Sequence, residues 1–244
     1  MVKLNIYDTI DEVLASLAEY FIAAANKCIA QKGSFTVALS GGTSPKKFYS
    51  LLVTSPYKER VDWNKIFFFF GDERYVPATN PASNFQMAKK VLFEPLDINM
   101  EKVFAVDTML PPQDAALQYM NALTAHFKEE EPALDLILLG LGDNSHTASL
   151  FPYTPVLQEQ QAAVKSVFLT DQQVYRITFT APLINLAPRI AFLVYGESKS
   201  AAVQNVLEGQ HDPGNFPAQL IQSKNGTVEW FMDRAAASKL TNVA

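Results

Sequence analysis

Short, continuously apolar runs alternate along this chain with longer segments whose apolar residues recur at helical spacing, and that alternation is the tightest constraint on its fold. Runs of strand length stand at 35–39, 66–70, 134–139, 164–168, 176–180, 190–195 and 227–232, with a shorter one at 103–106. Between them the spacing predicts helices over 11–32, 45–53, about 83–92, 114–128 and 199–207, and a short alanine-rich helix after the last strand. Alternating strands and helices imply an α/β fold, with a mostly parallel, open, Rossmann-like sheet and helices on both faces. No internal repeat, low-complexity segment or long linker interrupts the pattern, so a single domain is expected over residues 1–244.

Composition narrows the function. With 48% hydrophobic and 18% charged residues, the chain has the make-up of a globular protein with a sizeable core. A net charge of −5 argues against nucleic acid as a partner, because no basic surface is available to neutralise phosphates. It leaves room for a small anion, for which a few clustered cations suffice. No apolar run approaches the ~20 residues that span a bilayer, and no signal-peptide core follows Met1, so no membrane partner is expected. Cys28 is the single cysteine and sits on the apolar face of the first helix, which excludes an intrachain disulfide. A cytoplasmic protein is expected. His126, His146 and His211 are dispersed and show no metal-ligand spacing, so no metal is expected either.

In a parallel sheet, ligands sit outside the carboxyl ends of the strands, which directs attention to the loops that follow them. After the first run comes Ser40-Gly41-Gly42-Thr43-Ser44, leading into a helix with Ser44 as expected N-cap and Pro45 as its first residue. Two glycines, three hydroxyls and a helix N-terminus make an anion site, although the GKS/GKT ending of a P-loop is absent. After the second run come Asp72, Glu73 and Arg74, read either as a solvated ion pair or as an oxyanion-binding Arg74 positioned by Asp72, with Asn84 as a substrate contact. Lys199 falls at the start of a predicted helix, where the helix dipole disfavours a cation unless an anion lies beside it. Arg176 opens a strand and carries no weight alone.

The turn after the run at 134–139 carries the sharpest signal. It reads GLGDNSHTASLFP and presents His146, whose ordinary pKa suits proton transfer near neutrality.

Taken together, SGGTSP, GDERYVP with Ser83-Asn84, HTASLFP, RITFT and YGESK resemble, in order, the 6-phosphogluconolactonases of the group that also includes glucosamine-6-phosphate deaminases. The resemblance implies hydrolysis of 6-phospho-D-glucono-1,5-lactone in the oxidative pentose phosphate pathway, without a cofactor, by a monomer or weak homodimer. It implies that Ser40, Gly41, Gly42, Thr43, Arg176 and Lys199 bind the phosphate and that Arg74 and Asn84 contact the lactone. His146 becomes the general base, with Asp72 and Asn144 completing the catalytic group. One departure stands out. The family reads Asp-Gly-His where this chain has Asn144-Ser145-His146. Asn144 can accept a hydrogen bond but carries no charge, Ser145 is costly if its φ is positive, and Asp143 is the candidate replacement acid. Two rivals remain: an amino-sugar-phosphate isomerase/deaminase using Asp72 as base, and a non-catalytic sugar-phosphate-binding module. Sensors of the latter kind usually carry a DNA-binding domain, whereas the residues before Phe35 have room only for one strand and one helix.

Overall fold

The computed structural model describes residues 1–128 and 130–241. Its strands are β1 (Val2–Tyr7), β2 (Phe35–Leu39), β3 (Ile66–Phe70), β4 (Asp72–Arg74), β5 (Leu136–Leu139), β6 (Val164–Leu169), β7 (Val174–Phe179), β8 (Arg189–Val194) and β9 (Thr227–Asp233). The α-helices are α1 (Ile10–Lys32), α2 (Thr43–Leu52), α3 (Asn84–Ala88), α4 (Pro112–His126), α5 (Ala181–Ile184) and α6 (Ser200–Leu207). Six strands form one sheet in the order β1-β9-β8-β5-β2-β3, with every neighbouring pair parallel. A second, antiparallel sheet has the order β4-β7-β6.

The large sheet divides the apolar residues between two cores, because side chains alternate faces along a strand. Val37 and Leu39 of β2, Phe68 and Phe70 of β3 and Leu136 and Leu138 of β5 pack with α1 and α2 on one side. Ala38, Phe69, Ile137 and Leu139 join α4 and α6 on the other. Burial on both faces is why these strands read as unbroken apolar runs.

Helix α1 has 23 residues, and by length and mean hydropathy it could cross a membrane, which corrects the expectation that no segment reaches that length. Half of its most apolar stretch is buried against the sheet, so it reads as a core helix. A capping box opens it: Thr9 Oγ1 accepts from the Glu12 N–H at 3.2 Å, and Glu12 Oε2 accepts from the Thr9 N–H at 2.9 Å. Gly33, at φ +83°, closes it.

Other elements differ from expectation. The run at 103–106 makes only a single bridge, from Val103 to Phe68. The region expected to be one helix over 83–92 is α3 followed by a π-helical turn, Lys89–Phe93. The alanine-rich segment after β9 forms turns, with Asp233 Oδ1 accepting from the Ala236 N–H at 2.8 Å. Asp72–Arg74, expected as loop, is a strand because β7 offers it an antiparallel partner.

Candidate active site

The strand order creates the site. From β2 the chain moves outward to β3, whereas from β5 it moves the opposite way to β8, so the loops leaving β2 and β5 diverge at a topological switch point. A cavity of 310 Å³ lies there, lined by the loop after β2, Asp72 and Arg74 of β4, the turn after β5, and Tyr195 and Lys199 beyond β8.

One end of the cavity has the donors that an anion site needs. Helix α2 begins at Thr43 and its N-cap is Gly42, whose φ of +103° favours glycine. Ser44 is therefore inside the helix rather than its cap, Pro45 is the third helical residue, and no side chain caps the first turn. Donors at the helix start are left for a ligand. Ser40 is held from behind by the Tyr49 hydroxyl, which accepts from its N–H and donates to its carbonyl, both at 2.9 Å. Lys199 closes a 3₁₀ turn just before α6, and its Nζ pairs with Asp143 Oδ1 at 2.6 Å.

The turn after β5 presents His146 from the other side. Gly142 donates its N–H to the His146 carbonyl at 2.8 Å, and a Cβ on Gly142 would lie 2.0 Å from Nδ1, so only glycine fits. The imidazole stacks on Phe151, with ring centroids 4.0 Å apart and planes inclined by 16°. Nδ1 lies 2.5 Å from Asn144 Oδ1, which also accepts from the His146 backbone N–H at 3.4 Å. Because that backbone group can only donate, the Asn144 atom is its oxygen, the proton sits on Nδ1, and Nε2 keeps its lone pair. Burial pushes the His146 pKa down to about 4, with Lys199, Arg176 and Arg74 adding to the effect and Asp143 opposing it. Asp143 thus pairs with Lys199, and the side chain hydrogen-bonded to the ring is Asn144. Ser145 has φ +62° and is buried, the left-handed backbone that a glycine would accept more cheaply.

Between these ends lies a buried carboxylate, Asp72. Its Oδ2 accepts from Ser149 Oγ at 2.7 Å and its Oδ1 from Asn84 Nδ2 at 3.3 Å. Arg74 is not its partner: the guanidinium donates to the Ala82 carbonyl at 2.9 Å. Asn84, expected to touch substrate, is 1% exposed and lies behind the cavity wall, so it braces Asp72 instead. Its Oδ1 presses on Gly41, where a Cβ would come within 1.7 Å. Glu73 is buried as well and accepts from the N–H groups of Arg74, Asn84 and Phe85 and from Ser83 Oγ. Burial raises its pKa, and those donors counter the rise. Arg176 is paired with Arg74 across β4 and β7 and donates to Gln172 Oε1 at 3.2 Å, outside the cavity lining. Burial and the neighbouring Arg74 lower its pKa.

Sequence reasoning missed Thr147, Ser149, Phe151 and Tyr195. The first three follow His146 within one motif, and their proximity was the available signal. Tyr195 opens the YGESK motif just beyond β8, and that motif was its signal. Among the described residues, no three His, Cys, Asp or Glu side chains converge as a metal site would need.

Residues 8–230 match the family model described as glucosamine-6-phosphate isomerases/6-phosphogluconolactonase. The chain belongs to that family. A relative from Synechocystis sp., named 6-phosphogluconolactonase, is 41% identical over 218 residues, covering 88% of each chain. Among solved structures, one described as devB protein aligns at a TM-score of 0.89 with 30% identity, over 99% of this chain and 100% of that one. The 6-phosphogluconolactonase from Trypanosoma cruzi aligns at 0.86 with 26% identity, over 99% and 97%. The family's two named activities both act on phosphorylated sugars, and the cavity pairs an uncapped helix N-terminus with a neutral histidine.

Proposed function

We propose that this member of the family is the lactonase: it hydrolyses 6-phospho-D-glucono-1,5-lactone to 6-phospho-D-gluconate in the pentose phosphate pathway. The observation that carries the reading is that His146, with Nδ1 taken up by Asn144 Oδ1, lines the same cavity as the anion-binding loop, so that Nε2 is the ring nitrogen left for chemistry. The phosphate sits at the start of α2, among Ser40, Gly41, Gly42 and Thr43, with Lys199 exchanging Asp143 for it and Arg176 adding charge from behind. This places the lactone carbonyl toward Arg74 and His146.

Water then attacks the carbonyl carbon while Nε2 takes its proton, and Asn144 holds the ring as it becomes cationic. Arg74 meets the charge that develops on the carbonyl oxygen. The tetrahedral intermediate collapses by breaking the bond to the ring oxygen, and Nε2 returns the proton to that oxygen as it leaves. Only water is consumed, so the reaction calls for no cofactor. Every group this route uses comes from a single chain, and the enzyme is read as cytoplasmic and as a monomer or weak homodimer.

The test is to generate the lactone in situ and follow its loss above the spontaneous rate. His146→Ala should lower kcat by roughly 10²–10⁴ while inorganic phosphate still competes with unchanged affinity. Near-normal turnover by the variant would remove His146 from the reaction. Turnover of glucosamine 6-phosphate in place of the lactone would favour the isomerase reading, with Asp72 as base.

A further inference from the structure

The turn that presents His146 also reaches Asp72. Ser149, three residues further on, is 1% exposed, its Oγ donates to Asp72 Oδ2 at 2.7 Å, and its own N–H donates to Thr178 Oγ1 at 3.1 Å. A hydroxyl has one proton, and here the carboxylate takes it. Asn84 loads the other oxygen of Asp72 from the opposite side, and Asn84 in turn abuts Gly41 of the anion loop. Asp72 is therefore gripped between the turn that carries His146 and the loop after β2, and it is among the residues that line the cavity.

We propose that Ser149 is a positioning residue for the reaction: by holding Asp72 Oδ2 it aims the remaining carboxylate lone pairs at a hydroxyl of the bound sugar and locks the His146 turn to that contact. The inference rests on the reading of the cavity as a sugar-phosphate site. A charge-assisted hydrogen bond in a buried setting is strong and directional, so its loss frees the carboxylate to rotate. A space-filling role alone would need no donor at this position, whereas the 2.7 Å contact requires one.

The experiment is a double-mutant cycle of Ser149→Ala and Asp72→Asn, with Ser149→Cys as a variant that keeps a donor at the same branch point, slightly larger and weaker. Two readouts are taken: kcat and KM on the lactone, and the affinities of 6-phosphogluconate and inorganic phosphate by calorimetry. Each single substitution should weaken 6-phosphogluconate binding about tenfold and leave phosphate binding unchanged. Ser149→Ala should cost little more once Asp72→Asn is present. Ser149→Cys should fall between wild type and Ser149→Ala, which separates donor strength from folding. Additive losses, or equal loss of phosphate and 6-phosphogluconate binding, would overturn the assignment. If the wild type is inactive on the lactone while the variants still lose 6-phosphogluconate binding selectively, the lactonase reading falls and Ser149 keeps its role.

Discussion

At the scale of single residues, the base of the proposed reaction, His146, is a neutral imidazole held among cations. Its pKa of about 4 means that the acid limb of kcat/KM, which reports the free enzyme, should lie near that pH. A bound phosphate offsets Lys199, so the limb in kcat should lie higher. Asn144→Asp places a carboxylate where the amide oxygen now stands 2.5 Å from Nδ1, and should raise both limbs with turnover unchanged or higher. Asp143→Asn removes a charge that lifts the His146 pKa, so its limbs should move the other way with little change in the plateau. pH–rate profiles of the three proteins check this; abolished turnover in Asp143→Asn would restore Asp143 as the orienting acid. Ser145 offers a stability test. At φ +62° its Cβ is strained, and Ser145→Gly trades that strain against a more flexible unfolded chain. The expected net gain is up to about 1 kcal/mol in urea denaturation, with activity kept. A loss would mean the serine side chain contributes more than its backbone costs.

At the scale of elements, the loop before α2 and the turn before α6 converge from strands separated in sequence by most of the chain. Lys199→Ala should weaken binding of the phosphorylated lactone by roughly 1.5–3 kcal/mol and spare an unphosphorylated gluconolactone. Equal losses on both substrates would show that Lys199 does not read phosphate. How much of this was legible follows from what each signal depends on. β2, β3, β5, β8 and β9 were plain in the sequence because apolar residues on both faces leave no alternative environment for such runs. β4 was not, since three polar residues become a strand only when Thr178, Ile177 and Arg176 lie opposite them. The meeting of His146, the glycine loop after β2 and Lys199 at one cavity was readable from glycines and charge in local sequence. The bracing role of Asn84 was hidden because its partner Asp72 lies 12 residues away and the contact depends on tertiary approach. Ser145 was flagged by its type, and only the backbone could show that φ is positive.

At the scale of the whole molecule, two histidines resist protonation in the fold. Burial lowers the pKa of His146 to about 4, and burial with Lys32 nearby lowers that of His126, whose ring lies among Phe67, Phe69, Phe104 and Phe127. Below the unfolded value of about 6.5 the unfolded chain takes up protons that the fold refuses, so this contribution is complete above that pH and lost as the pH falls toward 4. Melting temperature should fall over that window, and His126→Phe, placed among those rings, should fall less. Identical slopes for the two proteins would remove His126 from the effect. The pairing of β1 with β9 carries a different consequence, for biosynthesis. The first strand has a single neighbour, and that neighbour ends at Asp233. A ribosome delivers the chain from its N-terminus, so β2, β3, β5 and β8 can assemble while β1 waits, tethered by α1, for its place to be made. β9 therefore fastens both the β8 edge of the growing sheet and β1 in one step.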